Sequence, residues 1–186
     1  MKLMLQSVQN PALESYGFST PLMHSRAAIP PSFSIRPIRL EDEAALAQLL
    51  VTCREDAFHW RDAGSFALAD FAIETAGERM WVAEGSDGSV WGFISIWEPD
   101  DFIHHLYVHP NCQRNGVGEE LMRKVLAFKE TTWRLKCPVA NAPGLAFYEK
   151  HGWTVEDRGV DVGSDYFLMR SPAPGREETS APGPVA

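Results

Sequence analysis

The sequence predicts an α+β domain: a mainly antiparallel sheet with helices inserted and one β-α-β passage. Three observations predict it. Short strand-like runs alternate with helical periods between residues 33 and 170. The runs "RMWVAEG" and "SVWGFISIW" flank "SDG", which reads as an antiparallel hairpin. A further apolar run, "DFIHHLYVHP", stops at Pro110 and passes through two glycines, Gly116 and Gly118, into a long helical period.

Each element follows from local chemistry. "FSIRPIRL" (33–40) is strand-like, with Phe33, Ile35 and Pro37 opposite Ser34 and Arg36. "EDEAALAQLLVTCRE" begins with acidic residues suited to a helix start and places Ala44, Ala45, Leu49 and Cys53 near helical spacing. A shorter helix is expected over Phe66 to Thr75. "GEELMRKVLAFKE" is the most periodic stretch, with Val117, Leu121, Val125 and Phe128 on one stripe. A strand at "WRLKCPV" and a helix from about Asn141 come next. Pro143 falls in that helix's first turn, where its missing N–H costs little, and Gly152 is a natural stop. "WTVED" and "DYFLMR" close the sheet.

Residues 1–31 read as an extension ending at Pro30-Pro31, residues 32–172 as the folded domain, and residues 173–186 as a disordered tail rich in Pro, Gly and Ser. The net charge of −8 and pI near 5.2 argue against nucleic acid or an anionic membrane as a partner. No apolar run reaches membrane-spanning length. Cys53, Cys112 and Cys137 offer no disulfide framework using all three and no zinc spacing, so the expectation is reduced thiols, a cytoplasmic protein and no metal. Cys112, beside the glycine loop, reads as a small apolar filler rather than a nucleophile.

Both nucleotide fingerprints fail in "GVGEEL". A dinucleotide motif needs a third small residue where Leu121 stands, and a P-loop needs GK[ST]. What survives is a strand, a loop with two glycines and a helix start: an anion site, or a tight turn without a ligand.

The context narrows this choice. Gln113-Arg114-Asn115-Gly116-Val117-Gly118 fits the pattern Q/R-x-x-G-x-G/A, and "NAPGLAFYEKHGW" (141–153) follows one strand later. Together these resemble the GNAT superfamily of acyl-CoA-dependent N-acyltransferases, over about residues 33 to 172. The resemblance implies a GNAT-like fold, acetyl-CoA as acyl donor, no metal, and a primary amine of a small molecule or peptide as acceptor. It implies that the backbone of residues 113–118 wraps the pyrophosphate, with Gly116 and Gly118 leaving room and Arg114 adding a charged hydrogen bond. Glu119 and Glu120 would then point away from the anion. The strand edge Leu106, Tyr107 and Val108 would pair with the pantetheine arm. Tyr148 would protonate the leaving thiolate. Asn141 would bond the cofactor arm or cap its own helix. His104, placed by alternation on the face of Phe102, Leu106 and Val108, would be the base or a polar core residue, and His105 would be structural on the opposite face. A non-catalytic acyl-CoA-binding module is the other reading, since it needs the loop but neither Tyr148 nor a base.

Overall fold

A computed structural model describes residues 32–57, 65–161 and 164–174. Its strands are β1 (Phe33–Pro37), β2 (Arg79–Gly85), β3 (Val90–Trp97), β4 (Phe102–Val108), β5 (Arg134–Pro138), β6 (Thr154–Asp161) and β7 (Ser164–Arg170). Its helices are α1 (Glu43–Ala57), α2 (Leu68–Glu74), α3 (Val117–Leu126) and α4 (Ala142–Lys150). The strands form one sheet in the order β1-β2-β3-β4-β5-β7-β6. Every pairing is antiparallel except β4 with β5, which α3 connects as the expected β-α-β passage.

Period-two alternation in β2 and β3 supplies a core to each face. Trp81, Ala83, Ile94 and Ile96 meet Val117, Leu121, Met122 and Val125 of α3. Val82 and Phe93 point the other way, onto Leu46, Leu49, Leu50 and Cys53 of α1 and Phe71 of α2. Leu46 and Leu121 are fully buried, each contributing about 1.5–3 kcal/mol of transfer free energy.

Three expectations need correction. The buried stripe of α1 runs through Leu46, Leu49, Leu50 and Cys53, while Ala44 and Ala45 are exposed. The helix phase is set by the large leucines, whose burial outweighs that of two methyl groups. β1 ends at Pro37 rather than Leu40, which is exposed in a 3-10 turn (Leu40–Asp42). The turn forms because Asp42 accepts the Arg39 N–H at 2.7 Å and both oxygens are held by Arg36, at 2.7 and 2.8 Å. Finally, Phe128 lies beyond the end of α3 and is half-exposed, its ring edge-on to Trp81 and 4.9 Å from the Arg79 guanidinium.

The predicted extension, residues 1–31, and residues 175–186 of the predicted tail lie outside the described residues. So do residues 58–64, in the segment between α1 and α2. No helix among the described residues is long and apolar enough to cross a membrane.

Candidate active site

The parallel pair is short. β4 and β5 meet only at Phe102–Arg134 and Ile103–Leu135; β5 then continues against β7 alone. Beyond Ile103 the β5-facing edge of β4 is therefore unpaired among the described residues. Its other edge stays in register with β3 through Ile94–Leu106, Phe93–Tyr107 and Gly92–Val108. Gly92 is required there, because a Cβ would lie 2.6 Å from the Tyr107 carbonyl oxygen. The Tyr107 side chain faces α1, taking a hydrogen bond from Arg54 Nε at 3.3 Å. So Leu106, Tyr107 and Val108 offer a ligand backbone groups rather than a shared side-chain surface.

At the end of this edge lies the glycine loop. A 3-10 turn, Pro110–Cys112, leads into Gln113, whose Nε2 donates to the Val108 carbonyl at 3.3 Å. Asn115 Nδ2 donates to the carbonyls of Cys112 and Gln113, each at 3.2 Å, and so braces the loop from within. Arg114 and Gly116 take left-handed backbone, with φ of +65° and +80°. The N–H groups of residues 114 to 119 donate to no described residue; bonding in α3 begins with Glu120 N–H to the Gly116 carbonyl at 3.0 Å. Consecutive free N–H groups at the positive end of a helix are what a phosphate requires.

The two glycines have different reasons. At Gly116 the backbone conformation favours glycine. At Gly118 it does not: a Cβ would find its nearest protein neighbour, the Phe147 ring, at an ordinary 3.5 Å. Packing leaves room for a side chain at Gly118. The acidic pair is occupied elsewhere, Glu119 near His151 Nε2 at 3.5 Å and Glu120 on Arg123. Arg114 is exposed and makes no ion pair among the described residues.

α4 brings Tyr148 alongside. Asn141 Oδ1 accepts the Gly144 N–H at 3.0 Å, so its oxygen caps the helix. Tyr148 packs on Phe147 and Trp153, with ring centroids 5.4 and 5.7 Å away. Burial pushes its phenol above the ordinary range, so it keeps its proton at neutral pH. The thiols are also held protonated by burial, Cys53 pushed up to about 12 and Cys137 to about 11, with Cys112 raised as well. Nucleophilic cysteine chemistry is disfavoured on that account.

The histidine pair departs from simple alternation. Ser95 pairs with His105 and Ile96 with Ile103, so β4 carries one extra residue, His104. This β-bulge removes His104 from the face of Leu106 and Val108. Both imidazoles instead reach one carboxylate, Glu78: His104 through Nδ1, and His105 through Nδ1 at 3.4 Å. His105 is buried, its Nδ1 also 2.8 Å from Ser95 Oγ and its Nε2 3.2 Å from Glu74 Oε2. Glu74 in turn accepts both terminal nitrogens of Arg54. Glu74, Glu78, Ser95 and Arg54 were not singled out by any motif; they converge only through tertiary contacts between α1, the α2–β2 turn and the sheet.

Burial works against a charged His105, but the bonds to Glu74 and then Glu78 outweigh it and raise the imidazole above its ordinary value. Hydrogen bonds from His105 and then Arg54 hold the Glu74 carboxyl down at about 2. Burial raises Glu78, yet the bonds from His105, Ser95 and His104 outweigh it and the carboxyl stays low. Among the described residues, no group of His, Cys, Asp and Glu is arranged to hold a metal ion.

The structure thus holds an unpaired strand edge, a loop of free N–H groups at a helix start, a protonated phenol and an acid–imidazole cluster. Comparison with known proteins bears on the family and the fold. The profile of the family described as "Acetyltransferase (GNAT) domain" matches residues 76–155. The chain is 33% identical over 119 residues to the probable N-acetyltransferase Rv2775 of Mycobacterium tuberculosis, covering 56% of this chain and 68% of that relative. It is 31% identical over 101 residues to the peptidyl-lysine N-acetyltransferase YiaC of Escherichia coli, covering 54% of this chain and 65% of that relative. The fold is similar to that of a PaiA N-acetyltransferase from Thermoplasma acidophilum solved with coenzyme A, with a TM-score of 0.60 and 19% identity over 75% of this chain and 98% of that one.

Proposed function

The chain belongs to the GNAT acetyltransferase family, an N-acetyltransferase by class, and on that premise we propose that it moves an acetyl group from acetyl-CoA to a primary amine, with Tyr148 as acid and His104 as base. The observation that carries the proposal is the continuous backbone track from the unpaired edge of Leu106–Val108 to the free N–H groups of residues 114–119. A pantetheine arm fits the first part and a pyrophosphate the second. The glycine at Gly118 fits as well, since the protein itself does not demand it.

The residues divide the proton work. Nε2 of His104 takes one proton from the substrate ammonium, which frees the lone pair that forms the C–N bond. Tyr148 gives its proton to the departing sulfur as the C–S bond breaks. The second proton lost by nitrogen restores the phenol, so each turnover leaves one proton on His104 for release to water. The loop and strand contribute positioning, which converts an encounter of two substrates into a local event.

Nε2 of His104, which bonds to no described residue, would meet the acceptor's ammonium on this reading. The relative named for peptidyl-lysine acetylation makes lysine peptides the first acceptors to try, with small primary amines beside them.

The test is a pair of measurements on the full chain. Acetyl-CoA at 100 times its Kd stabilises the folded state by about 2.7 kcal/mol, read as a rise in Tm; NAD and ATP raise it much less. Thiol release against a panel of lysine peptides and small amines then reports turnover. An unchanged Tm with acetyl-CoA overturns the proposal. Binding without turnover on any amine would support the acyl-CoA-binding module in its place.

A further inference from the structure

Glu78 stands in the turn between α2 and β2, fixed by its N–H to the Thr75 carbonyl at 3.0 Å. Its side chain is 2% exposed. A carboxylate so buried is costly unless hydrogen-bonded donors surround it. No lysine or arginine among the described residues pairs with it; its partners are the two imidazoles and Ser95. The β4 bulge makes this possible, because neighbouring residues of a regular strand point to opposite faces.

The two imidazoles are not equivalent. His105 has a carboxylate within reach of each ring nitrogen, Glu78 at Nδ1 and Glu74 at Nε2. With Ser95 Oγ at 2.8 Å and Glu78 at 3.4 Å from Nδ1, and Glu74 at Nε2, both ring nitrogens of His105 are engaged and neither is left open to a substrate. His104 meets a carboxylate only at Nδ1. Its Nε2 bonds to no described residue, its side chain is 40% exposed, and it stands just past the last β4–β5 pair.

Charges alternate along the cluster: Arg54, Glu74, His105, Glu78, then His104. With His105 charged, two cations face two anions, and a neutral His104 completes a balanced set. The ionisable groups packed around His104 are Glu78 directly and His105 at a ring distance of 6.3 Å, with Glu74 and Arg54 behind them.

We propose that Glu78 is a positioning residue of the transfer reaction: its carboxylate accepts the Nδ1 hydrogen of His104 and so leaves the Nε2 lone pair as the proton acceptor. His105, held between two carboxylates, keeps Glu78 in place and does not accept the substrate proton. The inference rests on the reading of His104 as base. It adds the group that selects which nitrogen of the ring does the work.

Nitrogen-15 NMR of the full chain labelled at histidine reads the tautomer on the unaltered protein, at a pH where the His104 ring is neutral. A hydrogen on Nδ1 is expected; a hydrogen on Nε2 overturns the proposal, and this arm needs no variant to fold. In Glu78→Gln the tautomer preference is lost and kcat falls roughly 10–100-fold, because the base is misdirected rather than deleted and general bases contribute about 10²–10⁴. The Kd for acetyl-CoA and the KM for the amine stay within a few-fold. A folded Glu78→Gln protein that binds acetyl-CoA and keeps the parental kcat also overturns it. A wrong tautomer in an active enzyme removes this inference alone, whereas failure to bind or turn over acetyl-CoA removes the transferase reading itself.

Discussion

At the scale of single residues, Tyr148 gives the cleanest prediction. Burial against Phe147 and Trp153 holds its phenol protonated, and its hydroxyl bonds to no described residue, so the proton is uncommitted in the resting protein. Tyr148→Phe removes one oxygen and leaves the ring packing intact. Turnover should fall ~10²-fold, the low end for a general acid, with acetyl-CoA affinity within a few-fold as measured by titration. Loss of affinity with unchanged kcat would make the residue part of the cofactor's packing. Tyr148 was legible in the sequence because it sits inside a short local pattern, "AFYEKHGW". Glu78 and Glu74 were not. They lie about 30 residues from β4 in sequence, and only the turn after α2 and the β4 bulge bring them to the histidines. The bulge also explains why strict alternation misplaced His104: one extra residue shifts the phase of everything on one side of it.

At the scale of elements, α3 is where fold and function separate. Its apolar stripe, Val117, Leu121 and Val125, was readable from periodicity and is buried as expected. Its first turn carries a glycine that the stripe does not need. Gly118→Ala places a methyl group at an ordinary 3.5 Å from the Phe147 ring and improves helix propensity. The protein without ligand should be as stable or more so, by up to about 0.5–1 kcal/mol, the glycine-to-alanine difference in helices. The same methyl group occupies the space proposed for the pyrophosphate, so the acetyl-CoA-induced rise in Tm should shrink or vanish. Thermal melts with and without acetyl-CoA measure both effects. A parental Tm shift in Gly118→Ala would show that the phosphates lie elsewhere. The hairpin β2–β3 was equally legible, because its turn chemistry is local. The phase of α1 was not, because alanines and leucines both fit a helical period and only tertiary contact tells which face is buried.

At the scale of the whole molecule, the Arg54–Glu74–His105–Glu78 cluster ties α1, the end of α2 and β4 together, so its protonation bears on stability as well as chemistry. The sign follows from the two directions of shift. Glu74 is held at about 2 in the folded protein, below the ~4.3 of a free glutamate. Its contribution is therefore complete above pH ~4.3 and is lost as pH falls toward 2. His105 is raised above the ~6.5 of a free imidazole. Its contribution is complete below that value and is lost as pH rises through the folded value. The cluster thus supports the fold most strongly between about pH 4.3 and 6.5. In Glu74→Gln the Tm should drop most in that window, and the gap to the parent should close as pH approaches 2. Parallel melting curves across the range would show that the cluster carries no proton-linked stability. Raising the pH through the folded His105 value therefore weakens the brace that holds Glu78 behind His104, so the support of the fold and the seating of Glu78 are lost together.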